Sequence, residues 1–453
     1  MKKNNAMLNL VFSLIYCLLL IVVNLSDNLP IMLLLFIISY VFFFIYSKIK
    51  LEKVKYMLSS PGFIYGSVFV PYVIFAVAMF IADGYQSRIH FFTNNLYTMI
   101  LTTKMYLNIY LILLLILTLF NMIKKFDIKE MVITLESKIK KLFYNITLLD
   151  LFCMVFALLN VYKLLSYGLS YFSLSTLQKR AVFSSEINHY INVFMTLYSL
   201  IVTIYFVNDK NNLKKGVMIF RILFMVIYWG IFLTCERRMF VAYLVGFMIL
   251  VISKVDRVKI KNIVITSVTI ILLLLSASFR GNITFGKNDP RDVIYMSLTE
   301  FICTYSVSNY YVNNIEHLDY AHGETYIKNS FLSLFPRVLV PNKPQELGTI
   351  FKKKLNLNVG YSFNPIAEGV LNFGKYAVIF VPIIIALIVL ISNKMYKFNV
   401  LMPVIISSFS LDFYRGQFAN FFFDSVFCFV FVFIIFKLSI KNSKVKEGAD
   451  DIW

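Results

Sequence analysis

Late in this chain a carboxylate and an amide stand four residues apart, Glu368 and Asn372, shortly after an Asn364-Pro365 pair. Asn followed by Pro is the order of a helix N-cap and its first helical residue. On such a helix positions i and i+4 share a face, so Glu368 and Asn372 point the same way. Held together at a membrane surface, the two groups can engage sugar hydroxyls. The carboxylate can also act as a general base if it comes within hydrogen-bond reach of the proton to be removed. The plainer alternative is a solvated helix face.

A second set of residues is cationic. Glu236-Arg237-Arg238 precedes an apolar run, Met239 to Ser253, of roughly 22 Å as a helix. If Lys254 marks one membrane face, that run is too short to lift Arg237 and Arg238 clear of the other leaflet. Arginines at such depth are costly and face protein or a polar cavity. The run ending in Phe413-Tyr414-Arg415-Gly416 gives the same arithmetic, and Arg280-Gly281 closes a run that begins at Asn262. Four arginines are thus expected at one level, where a lipid-linked diphosphate would lie. Guanidinium suits phosphate because it is permanently charged and binds in a two-pronged manner. The alternative is snorkelling, in which arginines merely anchor helix ends.

Other chemistries leave no trace. There is no phosphate-cradling glycine loop, no Gly-x-Ser-x-Gly, no His-Glu-x-x-His and no dinucleotide fingerprint. His317 and His322 do not have the spacing of metal ligands on a helix, so no metal and no cofactor is expected. Five cysteines, Cys17, Cys153, Cys235, Cys303 and Cys428, are scattered through apolar stretches without a C-x-x-C pair.

The elements that must carry these residues are membrane spans. Hydrophobic residues form 59% of 453 and charged residues 15%, with mean hydropathy +0.75. No soluble core hides that much apolar surface, whereas a bilayer does. Apolar runs near 7–25, 30–47, 63–82, 105–123, 146–165, 189–207, 217–235, 239–253, 262–279, 376–392, 399–414 and 420–436 predict about twelve crossings. The N-terminal run, preceded by Lys2 and Lys3, reads as an uncleaved signal-anchor.

With the N-terminus inside, the inner segments and tail hold 26 of the 44 basic residues, as the positive-inside rule requires. The formal charge of +20 is therefore a topology signal, and nucleic-acid binding needs no place in the account. The layout divides into spans over 1–279, a large outer loop over 280–375 with helical segments, spans over 376–437 and a cytoplasmic tail over 438–453. Residues 292–314 are partly apolar and expected to be helical, lying on or dipping into the membrane.

The stretch Phe335-Pro336-Arg337, Pro341-Asn342-Lys343-Pro344, Gly360 to Pro365, Glu368-Gly369 and Asn372-Phe373-Gly374 resembles the O-antigen (oligosaccharide repeat-unit) polymerases, the Wzy type. About twelve spans with one long late outer loop, and Arg-Gly pairs at span ends, resemble that family too. Here Ala367, rather than the family's frequent Gly, precedes Glu368. The resemblance implies an all-α, GT-C-like, metal-independent glycosyltransferase of the bacterial inner membrane, with its site facing the periplasm. Its donor and acceptor would be oligosaccharides on undecaprenyl diphosphate, within membrane lipid. A chain-length-determinant (Wzz-type) protein would be a further partner. Arg237, Arg238, Arg280 and Arg415, with Arg337 and Lys343 from the loop and Asn372, would bind diphosphate and sugar. Glu368 would be the base. An O-antigen ligase, which transfers finished glycan to lipid A core, and a flippase or other transporter are the competing readings.

Overall fold

The computed structural model describes residues 2–69, 96–126, 303–357, 361–396 and 401–450, together with 147–253 apart from 169, 175, 184–185, 209–214 and 236–237. Every regular element among these residues is helical. In chain order the main helices are α1 (Lys2–Leu25), α2 (Leu29–Leu51), α3 (Leu96–Leu119), α4 (Leu148–Tyr167), α5 (Glu186–Asn208), α6 (Lys215–Cys235) and α7 (Arg238–Ser253). They continue with α8 (303–313), α9 (Glu324–Ser333), α10 (Leu347–Lys354), α11 (Pro365–Phe373), α12 (Ala377–Met395), α13 (Leu401–Ser408), α14 (Ser410–Arg415) and α15 (Phe418–Asp450).

Five helical stretches among the described residues are long and apolar enough to cross a membrane: Asn5–Leu25, Leu29–Leu51, Tyr97–Leu119, Leu148–Tyr167 and Pro365–Met395. Three shorter apolar helices, Gly216–Ile231, Arg238–Val251 and Phe418–Ile434, fall on expected spans. The chain is thus a helical membrane protein. The expected run 399–414 is broken into α13 and α14 at Phe409, and nearly every residue from 401 to 414 is buried. The expected span 262–279, most of 63–82 and the first part of the long loop lie outside the described residues.

The chain divides into two compact units. Unit one is written in two pieces, Met1–Phe126 and Leu298–Phe423. Its centre is α3: 61% of its apolar window is buried, against 22% for α1, which leaves α1 most of its surface for lipid. Ser13 meets Thr118 near one end of the α1–α3 pair, and Lys104 reaches the Asn24 carbonyl and Asp27 at the other, so the two run antiparallel. α12 runs parallel to α3, with Asn393 donating to the Met122 carbonyl.

The 31-residue stretch Pro365–Met395 is not one rod. Gly374 (φ 56°, ψ −132°) breaks it, and a Cβ on Gly369 would stand 2.3 Å from Val381 and 3.3 Å from Ala377. So α11 is folded back against the first turns of α12. A continuous rod would measure about 46 Å, well beyond the roughly 30 Å hydrocarbon core. The crossing segment is α12 alone, and α11 belongs to the loop.

Unit two comprises Asp127–Ser297 and Asp424–Trp453. Asp150 sits in the first turn of α4, where it completes a capping box with Thr147. The same carboxylate takes a bidentate pair from Arg221 of α6, at 2.8 and 2.9 Å, and a 2.5 Å bond from the Tyr198 hydroxyl of α5. Both charges are wholly buried. The pair pins α4, α5 and α6 in register, at the helix ends where Asp150 and Arg221 lie in sequence.

Candidate functional site

The expected helix over Asn364 onward is α11, with Asn364 as its N-cap accepting from Ala367 N at 2.8 Å and Pro365 in its first turn. The face that carries Glu368 and Asn372 is not solvated, contrary to the plainer expectation. Asn364, Glu368 and Asn372 are all at most 1% exposed. Spaced at i, i+4 and i+8, each reaches a different neighbour, and together they knit the loop.

Asn364 uses its whole side-chain capacity. Its Oδ1 accepts from Ala367 N and from Ser308 of α8 at 2.8 Å. Its Nδ2 donates to the Tyr106 hydroxyl of α3 at 2.6 Å and to the Thr304 carbonyl at 3.2 Å. The expected helix within 292–314 is therefore present over 303–313. It lies along α3 through Thr103–Tyr305, Tyr106–Ser308 and Thr102–Asn309 bonds. Hydroxyls and amides so close to a spanning helix must be satisfied inside the protein, because lipid offers them nothing.

Asn372 caps another helix from outside. The N-cap of α9 is Gly323, at φ 87° and without a side chain to serve. Asn372 Oδ1 instead accepts from Gly323 N at 3.0 Å and Thr325 N at 3.4 Å. Its Nδ2 donates to Thr325 Oγ1 at 2.6 Å and to the Glu368 carbonyl at 2.7 Å.

Between these two amides lies Glu368. Oε1 accepts from Thr325 Oγ1 at 2.7 Å, and Oε2 accepts from Phe418 N at 2.6 Å. Both donors are neutral, and among the described residues no basic side chain forms an ion pair with this carboxylate. Burial pushes Glu368 up to about 7, a rise that the bonds from Phe418 N and Thr325 only partly oppose. Burial first, and then the Glu368 carboxylate, hold the neighbouring Tyr326 phenol well above its ordinary range. The residue expected as the base thus also ties α11 to α9 and to the start of α15. Each of its oxygens accepts one hydrogen bond from the protein, and the side chain is buried.

The cations of the resemblance stretch also serve the loop. Lys343 Nζ donates to the Ser333 and Phe335 carbonyls at 3.2 and 3.0 Å, at the C-terminal end of α9, where a positive charge offsets the helix dipole. Exposed Arg337 donates to the Lys343 carbonyl at 3.3 Å. Half-buried Arg415 ends α14, three residues before Phe418. The turn that follows it is held by Gln417, which accepts from Leu347 N at 2.8 Å, and by Ser333 donating to the Ala419 carbonyl at 3.2 Å. Glu368, Asn372, Lys343 and the Arg415 turn therefore form one connected cluster built on α9 and α11.

Arg238 belongs to unit two. It pairs with Asp424 of α15, whose other oxygen lies 3.1 Å from His189 Nε2 of α5. Asp424 is fully buried. Arg237 and Arg280 lie outside the described residues. The sequence reading missed Thr325, Asp424 and His189. Thr325 carried no signal. Asp424 did, being an acid inside the apolar run 420–436. Among the described residues no group of three or more His, Cys, Asp or Glu side chains is placed to hold a metal ion. No family model, no curated protein and no solved structure matches this chain.

Proposed function

We propose that this chain polymerises lipid-linked oligosaccharide repeat units, such as those of O-antigen or a related surface polysaccharide. In this reading it crosses a bacterial inner membrane twelve times, in a GT-C-like arrangement, with the long loop on the periplasmic side. A hydroxyl of the incoming repeat unit attacks the anomeric carbon of the growing glycan. The new C–O bond forms as the bond to undecaprenyl diphosphate breaks, the diphosphate departs with its lipid, and the hydroxyl proton passes to the departing diphosphate or to water. Arginines supply the neutralising charge that a metal would otherwise supply.

The observation that carries the reading is the cluster itself. Within the resemblance stretch, Glu368 holds the turn behind Arg415 through Phe418 N, Lys343 and Asn372 tie to the two ends of α9, and Asn364 ties α11 to α3 and α8. Glu368 then acts as a positioning residue: it holds Phe418 N, and so the turn between Arg415 and α15. Arg238, the other arginine on which this reading draws, belongs to unit two and is paired there with Asp424.

The test is the purified protein in lipid vesicles with an undecaprenyl-diphosphate-linked repeat unit. The expected result is a ladder of longer lipid-linked glycans and released undecaprenyl diphosphate. Arg415→Ala and Arg238→Ala should abolish the ladder, and the Lys variants should only shorten it, because Lys keeps the charge but loses the two-pronged geometry. Glycan transferred only to lipid A core, or carrier moved across the vesicle with no new bond, would replace this reading with a ligase or a transporter.

A further inference from the structure

Part of the surface of α9 is apolar where a solvated helix would be polar. A helix bathed in water turns its polar side chains outward and its apolar ones inward. α9 buries Thr325 and Ser330, and it leaves Ile327 76% and Phe331 59% exposed. The chain beyond the helix extends the same surface through Phe335, Val338 and Leu339, the last two 89% and 68% exposed. Five large apolar side chains within thirteen residues form a patch that water would penalise.

Two further observations say what covers it. The first is charge. Lys328 and Arg337 are exposed within the same stretch, and its one acid, Glu324, is tied to Lys328. A basic-flanked apolar surface fits a lipid leaflet, with hydrocarbon beneath and phosphates at the rim. The second is continuity. The Tyr326 ring stacks on Phe373 at 5.8 Å, and Phe373 stacks on Phe380 at 4.4 Å. Phe380, Ile379 and Ile383 of α12 are themselves exposed, on a helix that crosses the membrane. Two ring contacts therefore separate α9 from the lipid-facing flank of the first turns of α12. Tyr376, 58% exposed where α12 begins, sits where interfacial aromatics gather.

We propose that α9 and the turn after it are seated in the leaflet on the long-loop side, with Ile327, Phe331, Phe335, Val338 and Leu339 in its hydrocarbon edge. Lys328 and Arg337 then lie at the phosphates of the surrounding phospholipid. The loop segment is a monotopic anchor that fixes the depth of the α9–α11 cluster relative to the bilayer. This does not depend on the reaction proposed above, and it holds for any chemistry the cluster performs.

The test is nitroxide labelling of the full chain at Phe331→Cys, Val338→Cys and Leu339→Cys in vesicles of phosphatidylethanolamine and phosphatidylglycerol. The unsubstituted protein gives the background of the native cysteines, and Lys354→Cys on α10 is the solvated control. These side chains are exposed, so replacing them removes little packing. The expected result is a ratio of oxygen to water-soluble nickel-chelate accessibility several-fold higher at 331, 338 and 339 than at 354. Fluorescence of Val338→Trp should likewise be quenched by acyl-brominated lipid and shielded from aqueous acrylamide. Ratios equal to that at 354 would overturn the proposal in favour of a solvated loop. Protection from both reagents, with cross-linking between copies at 338, would overturn it in favour of a protein partner.

Discussion

At the scale of single residues, two buried carboxylates set the behaviour of the two units. Glu368 has a folded-state pKa of about 7 against an ordinary 4.5. Its folded form therefore binds a proton that the unfolded form has released across that interval, and stability falls as pH rises from about 4.5 through about 7. The amplitude is on the order of 3 kcal/mol. Thermal unfolding in detergent should show a lower midpoint at pH 8 than at pH 5. Glu368→Gln should flatten that slope and leave stability at pH 5 within about 1 kcal/mol, because at that pH the native side chain is itself a neutral acid. A Gln variant that keeps the full slope would assign the titration to another group. Asp150 obeys a different rule, since its partner is a charge. Asp150→Asn leaves Arg221 buried without a counter-charge and should cost about 3–5 kcal/mol, whereas Asp150→Asn with Arg221→Met should recover most of it. The check is the unfolding midpoint of the single and double variants side by side.

At the scale of elements, the fold turns on one break. Gly374 adopts φ 56°, ψ −132°, a conformation that side chains other than glycine's avoid, and a Cβ there would stand 2.8 Å from the Tyr320 ring. Gly374→Ala should therefore cost about 1–3 kcal/mol and loosen α11 from α12. Protection of the α11 amides from hydrogen exchange should fall while that of α12 persists. Equal loss in both would mean that the two unfold as one body. Much of α11 was legible beforehand. Asn364-Pro365 announced its start, and the i, i+4 spacing announced that Glu368 and Asn372 share a face. What that face meets was not legible, because Thr325 and Phe418 lie 43 and 50 residues away and carry no pattern of their own. Hydropathy placed most helices well but treated 399–414 as one span, since a break at Phe409 changes direction without changing polarity. The arginines read as a single layer fall in different units: Arg238 has Asp424, 186 residues away, as its counter-charge, while Arg415 ends α14.

At the scale of the whole molecule, α1 and α3 run antiparallel while α3 and α12 run parallel. Reporter fusions check the absolute sense: one at Lys343 should report the outer compartment and one after Lys441 the cytoplasm, and an inward signal from Lys343 would reverse the topology. The split writing of unit one has a consequence in time. Tyr106 and Ser308 are 202 residues apart, a delay of about 10–40 s at ribosomal rates of roughly 5–20 residues per second. Throughout that interval α3 stands in the bilayer with Thr102, Thr103 and Tyr106 still waiting for α8 and for Asn364. The nascent chain is thus a membrane protein with an open polar seam, and the first segment of unit two, Asp127–Ser297, is made while the seam is open. A chaperone of the bilayer, or the translocation machinery itself, has work to do on α3 until the last third of the message has been read.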